Sequence, residues 1–207
     1  AALYGSQAAN GVIVIKTKSG MGQIGLGFEY SGSVSFEVPF RLPQFQNKYG
    51  PGMNPESWDF WASGEEPYYA WGPPLDAGLM AVQWNSPIGQ GGQPVQLPLK
   101  SYENNLRDFF ETGIIYNNNI AFSKSEDKKY QFRLAYNNLK ENGMLYNTDL
   151  TRNVVSLNAG TFITKKIEVF TTTLYSNTSS GNRLWGNSDA NNAVKSALFM
   201  PRSCNVE

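Results

Sequence analysis

The stretch QIGLGFEYSGSVSFE, residues 23–37, decides the fold class of this chain. Apolar side chains occupy its even positions, with Gly32 as the single gap, whereas Gly, Ser, Gln and Glu occupy the odd positions. Because successive side chains of a strand point to opposite faces, this pattern predicts a long β-strand with one apolar face. The other face is rich in Gly and Ser, although a water-facing sheet usually carries more charge. The apolar residues are Ile24, Leu26, Phe28, Tyr30, Val34 and Phe36.

Similar alternation returns in four later runs, which begin near Ile114, Tyr130, Val154 and Ile167. In the last run Phe170 and Leu174 oppose the apolar face, so its register stays open. Runs of about ten residues with aromatic ends are typical of transmembrane β-barrels. A soluble β-sandwich alternates in the same way, so periodicity leaves both classes open.

The lengths of the connections favour a barrel. The second and third runs are joined by the charged turn 124–129, and the fourth and fifth by residues 164–166. The long connections are residues 38–113 and 140–150. Short turns on one rim and long loops on the other are typical of outer-membrane barrels, whereas a sandwich has no reason to sort its loops by side.

Composition excludes several classes of function. The 207 residues include 17 Lys and Arg and 17 Asp and Glu, so no bulk charge attracts nucleic acid. The chain has no histidine, which removes Ser-His-Asp and Cys-His catalysis and His-based zinc sites. The single cysteine, Cys204, has no partner for an internal disulfide. The start at Ala1 and the end at Glu207 predict an internal fragment of a longer protein.

The connection 38–113 is predicted to be a folded, functional loop. Ten of the eleven prolines lie between Pro39 and Pro98, which excludes a strand or a long helix there. We expect two short helices inside it. One has Asn54 as N-cap, and the other runs from Ser101 as N-cap to a stop at Gly113.

This loop also holds a dense aromatic cluster, which makes it the candidate binding site. Indole and phenol rings stack on sugars or peptides and supply directional hydrogen bonds. The same rings would equally serve as the apolar core of the loop. The candidate substrate-binding residues are Trp58, Trp61, Tyr68, Tyr69, Trp71 and Trp84.

The acidic residues of the loop, Asp59, Glu65, Glu66 and Asp76, suggest a glycosidase pair only weakly, because spacing in a loop does not fix a carboxylate separation. No calcium-loop spacing is present. We therefore predict no catalytic residue, no metal site and no cofactor. The chain is not expected to be an enzyme.

Several motifs follow one another along the chain. They are AALYGSQAANGVIVIKTKSG (1–20), FQNKYGPG (45–52), WGP (71–73) with LDAG (75–78), and the segment Asn104–Gly113 ending in DFFETG, which precedes the Asn117–Asn119 run. In this order they resemble the SusC/RagA-like group of TonB-dependent outer-membrane transporters of Bacteroidetes-type bacteria. The departures are Ala77, where Gly is commoner in the family, and Gln7, where a basic residue is common.

The resemblance implies that residues 1–21 end a plug domain and that residues 22–207 form about the first five strands of a 22-stranded antiparallel transmembrane β-barrel. The loop 38–113 would then be extracellular. Such proteins lie in the cell outer membrane and import oligosaccharides or peptides beneath a SusD-like lipoprotein lid. Energy reaches them from the TonB complex through an upstream segment. The residues expected to face lipid are Ile24, Leu26, Phe28, Tyr30, Phe132, Leu134 and Tyr136. The alternative is a soluble or surface carbohydrate-binding β-sandwich.

Overall fold

The computed structural model describes residues 13, 18–20, 22, 25–52, 55, 69–83, 85–126, 129–164, 166–182 and 192–206. The fold is mainly β, as the alternation predicts. The strands are β1 (Gly27–Glu37), β2 (Met80–Ala81), β3 (Leu97–Pro98), β4 (Gly113–Glu126), β5 (Tyr130–Asn142), β6 (Asp149–Thr164) and β7 (Ile167–Gly181), and the helices are α1 (Asn105–Asp108) and α2 (Ala193–Phe199).

Five long strands form one sheet in the order β1-β4-β5-β6-β7, and β2 pairs with β3 in a separate antiparallel ribbon. The pairs β4–β5 and β6–β7 are antiparallel because only a few residues join them. Strand β1 also runs antiparallel to β4, since Phe28 contacts Phe122 whereas Tyr30 bonds to the earlier residue Asn118. The two short turns therefore fall at the same end of the sheet.

Cross-strand contacts identify the two faces of this sheet. Phe28 and Phe122 share the apolar face, with ring centroids 5.3 Å apart. On the opposite, polar face, Gln131 of β5 bonds to Glu168 of β7. The even positions of β7 therefore lie on the polar face, which resolves the register that the sequence leaves open. Phe170 and Leu174 lie on the polar face and are exposed.

The described part of the loop 38–112 differs from the prediction in two ways. It contains the two-residue strands β2 and β3, so the prediction that the prolines exclude any strand there is wrong. The predicted helix from Ser101 is wrong in extent: α1 covers only Asn105–Asp108, and its N-cap position is Asn104. Ser101 does not cap it, because its buried Oγ has no hydrogen-bond partner among the described residues and the N–H of Tyr102 bonds to the Arg202 carbonyl. The helix predicted after Asn54 lies outside the described residues.

The chain divides into two compact units. The first comprises residues 1–34, 116–140 and 151–179, and the second comprises residues 35–115, 141–150 and 180–207. The second unit has an apolar core, which includes Leu75, Ala81, Leu99, Leu106 and Ala197. In the first unit the buried residues of the described part are small or polar, namely Gly20, Ala121, Ser123, Arg133 and Gly160. Neither described helix has the length and hydropathy that a membrane-crossing helix needs.

Candidate functional site

The apolar face of the five-stranded sheet is exposed. Phe28 and Tyr30 are 62% and 61% exposed, and Leu134 and Tyr136 are each 42% exposed. Leu26, just before β1, is also exposed, Phe132 is half-buried, and Ile24 lies outside the described residues. Contiguous apolar surface of this extent marks an interface with another molecule or with lipid, because leaving it in water is unfavourable. The other exposed members of the face are Val34, Phe36, Tyr116, Ile120, Phe122, Val155, Ile163, Ile167, Val169 and Tyr175.

Polar side chains on this apolar face are hydrogen-bonded to one another. The Tyr30 hydroxyl donates to Asn118 Oδ1 at 3.0 Å, and the Tyr136 hydroxyl donates to Asn153 Oδ1 at 2.7 Å. Asn138 Nδ2 donates to the same Asn153 oxygen at 2.8 Å. In an apolar medium an unpaired polar group costs several kcal/mol, whereas paired groups of this kind are tolerated.

The polar face carries a bidentate ion pair that joins strands β1 and β5 across the strand β4 between them. Arg133 of β5 donates from Nη1 and Nη2 to the two Glu29 oxygens of β1, both at 2.8 Å. The Arg133 side chain is buried, and Lys18 Nζ lies 3.7 Å from the same carboxylate. Sequence reasoning missed this pair, because Glu29 and Arg133 are 104 positions apart and meet only through the strand order.

Residues 18–20 lie against this polar face. The Lys18 carbonyl accepts a hydrogen bond from Asn158 Nδ2 of β6 at 3.0 Å. A Cβ placed on Gly20 would lie 2.2 Å from the Phe132 carbonyl oxygen, so Gly20 packs directly on the backbone of β5. Only glycine leaves room for this approach.

The ion pair leads to a test of stability. Substituting Glu29 by glutamine should lower the thermal unfolding midpoint, because it leaves the buried Arg133 guanidinium without its carboxylate. Glu37→Gln is the matched control, since Glu37 ends the same strand and has no ion pair with a described residue. The exchange of Glu29→Arg with Arg133→Glu should restore part of the loss. If Glu29→Gln and Glu37→Gln had equal thermal unfolding midpoints, the ion pair would not contribute to stability.

Two of the six predicted binding aromatics, Tyr69 and Trp71, belong to the described loop. Tyr69 is 48% exposed and lines a pocket of about 280 Å³ in the second unit. Trp71 is 67% exposed and does not line this pocket. Trp58, Trp61, Tyr68 and Trp84 lie outside the described residues. We call the 280 Å³ pocket that Tyr69 lines the Arg202 pocket. Its lining includes Phe45, Gln46, Tyr49, Tyr69, Leu198, Met200 and Arg202.

The side chain of Gln46 holds the wall of the Arg202 pocket together. Its Oε1 accepts from the backbone N–H groups of Lys48 and Tyr49, both at 2.9 Å. Its Nε2 donates to the carbonyls of Tyr49 and Ala70 at 2.8 and 3.1 Å. One amide therefore ties two distant segments of the loop, which preorganises the pocket.

Arg202 is the buried charge of this pocket. Its guanidinium carbon lies 4.6 Å from the centroid of the Phe45 ring, and Nη2 donates to the Met200 carbonyl at 2.8 Å. The residue is 7% exposed, and burial lowers the pKa of its guanidinium from the ordinary value. Sequence reasoning gives a binding role to neither residue: Phe45 enters it only as the start of the FQNKYGPG motif, and Arg202 lies far from that motif in the chain.

A second pocket of about 440 Å³ in the same unit is lined by the acidic residues Glu37, Glu141 and Asp149 beside apolar Phe110 and Met144. The described part of the chain holds no group of three or more Cys, Asp or Glu residues placed to bind a metal ion. Of the acidic residues considered for catalysis, Asp76 accepts from the backbone N–H of Ser101, and Asp59, Glu65 and Glu66 lie outside the described residues.

No protein-family model matches the chain, and a search of curated proteins finds no significant match.

Proposed function

We propose that the chain is part of an energy-coupled outer-membrane importer of the SusC/RagA-like, TonB-dependent kind, which takes up oligosaccharides or peptides with a SusD-like lipoprotein as lid. The observation that carries this proposal is the exposed apolar face of the five-stranded sheet. The sequence motifs described above supply the family, the lid and the coupling to TonB.

Strand length supports a membrane position. The strands β4 to β7 contain 14, 13, 16 and 15 residues, whereas strands of globular proteins usually have about five or six. A tilted strand needs about 9 to 11 residues to cross the hydrocarbon layer. All four exceed that length, so each has enough residues to reach both interfaces.

The difference between the apolar and polar faces of the five-stranded sheet also supports a position in the membrane. Hydrocarbon would cover the aromatic and aliphatic face, while the polar face, with its buried Arg133 and its asparagines, would line a wet interior. Asn137 Nδ2 donates to Asn117 Oδ1 at 2.7 Å on that face. The segment 18–20 packs on the same face, which supports the proposal that it ends a plug domain.

Membrane partition tests the proposal. We expect the importer that contains this chain to be recovered in the outer-membrane fraction and to refold with a β-rich circular dichroism spectrum in detergent micelles or bilayers. Residues 1–207 alone should aggregate in buffer, because the five-stranded sheet exposes its apolar face and leaves its edges unpaired. Uptake of its cargo should stop when TonB is removed. A stable, soluble monomer without detergent would instead favour a carbohydrate-binding β-sandwich, for which the exposed Trp71 would be the stacking residue.

A further inference from the structure

Arg202 brings to its pocket a buried positive charge that interacts electrostatically with Cys204 and forms no ion pair with a described carboxylate. Among the described residues the carboxylate ion pairs involve Lys18, Lys129 and Arg133, and none involves Arg202. A buried guanidinium without a carboxylate is costly, and proteins normally pair such a charge. A planar fork of N–H groups matches the geometry of a carboxylate.

The rest of the pocket selects the body of the ligand. Phe45, Tyr69, Leu198 and Met200 give it a largely apolar wall with a phenol at its edge. A volume of about 280 Å³ is near the lower end of small-molecule pockets, which fits one amino-acid residue or one sugar ring. An inorganic anion would leave this wall uncovered.

We infer that the Arg202 pocket binds a carboxylate carried on a small organic group, namely the C-terminal residue of a peptide or a uronic acid unit of an oligosaccharide. That the ligand is imported cargo rests on the proposed function. The charge of Arg202 recognises the acid, and the walls around Tyr69 and Phe45 recognise the group that bears it.

The experiment compares acids with their neutral derivatives on the unaltered protein, purified in detergent, by isothermal titration calorimetry. One pair of probes is a tripeptide ending in leucine and the same tripeptide as its C-terminal amide. The other pair is digalacturonate and its methyl ester. We expect the acid of one pair to bind about tenfold tighter than its neutral partner or more, because a charge-assisted hydrogen bond is lost in the derivative. The pair that shows the preference identifies the source of the carboxylate.

Arg202→Gln should abolish this preference, and Arg202→Lys should retain part of it. The matched control is Arg41→Gln, since Arg41 is exposed and also lies over a phenylalanine ring, 6.0 Å from the Phe40 centroid. The control should keep the full preference. If Arg202→Gln fails to fold, the comparison of acid with neutral derivative on the unaltered protein still decides the question.

Equal affinity within both pairs, or no binding of any probe, would overturn the inference. The counter-charge would then belong to the chain itself, and Glu65 and Glu66, which precede Tyr69 in the sequence, would be the residues to substitute next. The two proposals fail separately. A protein that inserts into bilayers but shows no acid preference keeps the importer role, whereas a water-soluble protein with that preference keeps the binding site and loses the importer role.

Discussion

Leu134→Arg is expected to lower the free energy of unfolding in a lipid bilayer by about 2 to 4 kcal/mol, the cost of an arginine on the lipid face of a barrel near the bilayer midplane. Leu134 lies in the interior strand β5, on the same face as Tyr136, and is exposed. In water an exposed leucine at this position would tolerate arginine with little change. The sign and size of the effect therefore report what covers this face.

The matched control is Ser31→Arg, which places the same charge on the opposite face of β1. Ser31 is exposed and follows Tyr30, so its side chain lies on the polar face. We expect less than about 1 kcal/mol of change at this position, as for other surface substitutions. Denaturant titrations in bilayers of both variants measure the difference. Equal effects of the two substitutions, or a more soluble Leu134→Arg protein in buffer, would rule out a lipid-facing role for this surface.

Much of the sheet can be predicted from the sequence, because alternation depends only on the geometry of a single strand. The pattern of residues 23–37 predicts a strand there, and the structure has β1 at Gly27–Glu37. The start is later because Gly25 has a φ of +78°, which interrupts an extended strand. Strand β5, by contrast, continues through Asn142, although its last residues lose the apolar pattern. Backbone pairing with neighbouring strands continues the ladder where side chains no longer indicate it.

The candidate sites are less predictable, because they depend on contacts between distant segments. The aromatic residues of the loop indicate a binding region, but nothing local indicates that Phe45 meets Arg202. Likewise, Glu29 and Arg133 are ordinary charged residues of two strands until the order β1-β4-β5 brings them together. Strand order and loop packing are tertiary properties, which periodicity does not encode.

The contact of Gly20 with the sheet predicts a large effect from the addition of a single methyl group. Gly20→Ala would place a carbon 2.2 Å from the Phe132 carbonyl oxygen and 3.1 Å from that of Lys124. Both oxygens belong to the backbone of paired strands, which cannot move without breaking hydrogen bonds between the strands. The segment 18–20 must therefore shift away from the sheet. Overpacking of this kind costs about 1 to 3 kcal/mol or more. The thermal unfolding midpoint should fall accordingly.

Gly32→Ala is the control for this substitution, because the nearest atom there is the Tyr30 hydroxyl at 2.7 Å, the end of a rotatable side chain. That alanine should be accommodated by a small rotation of Tyr30. If residues 18–20 end the plug, Gly20→Ala should also let large antibiotics such as vancomycin through the outer membrane, because a displaced plug opens the lumen. The sensitivity to vancomycin of cells that express each variant measures this leak. Should Gly20→Ala match Gly32→Ala in both stability and permeability, the segment 18–20 would not seal the polar face.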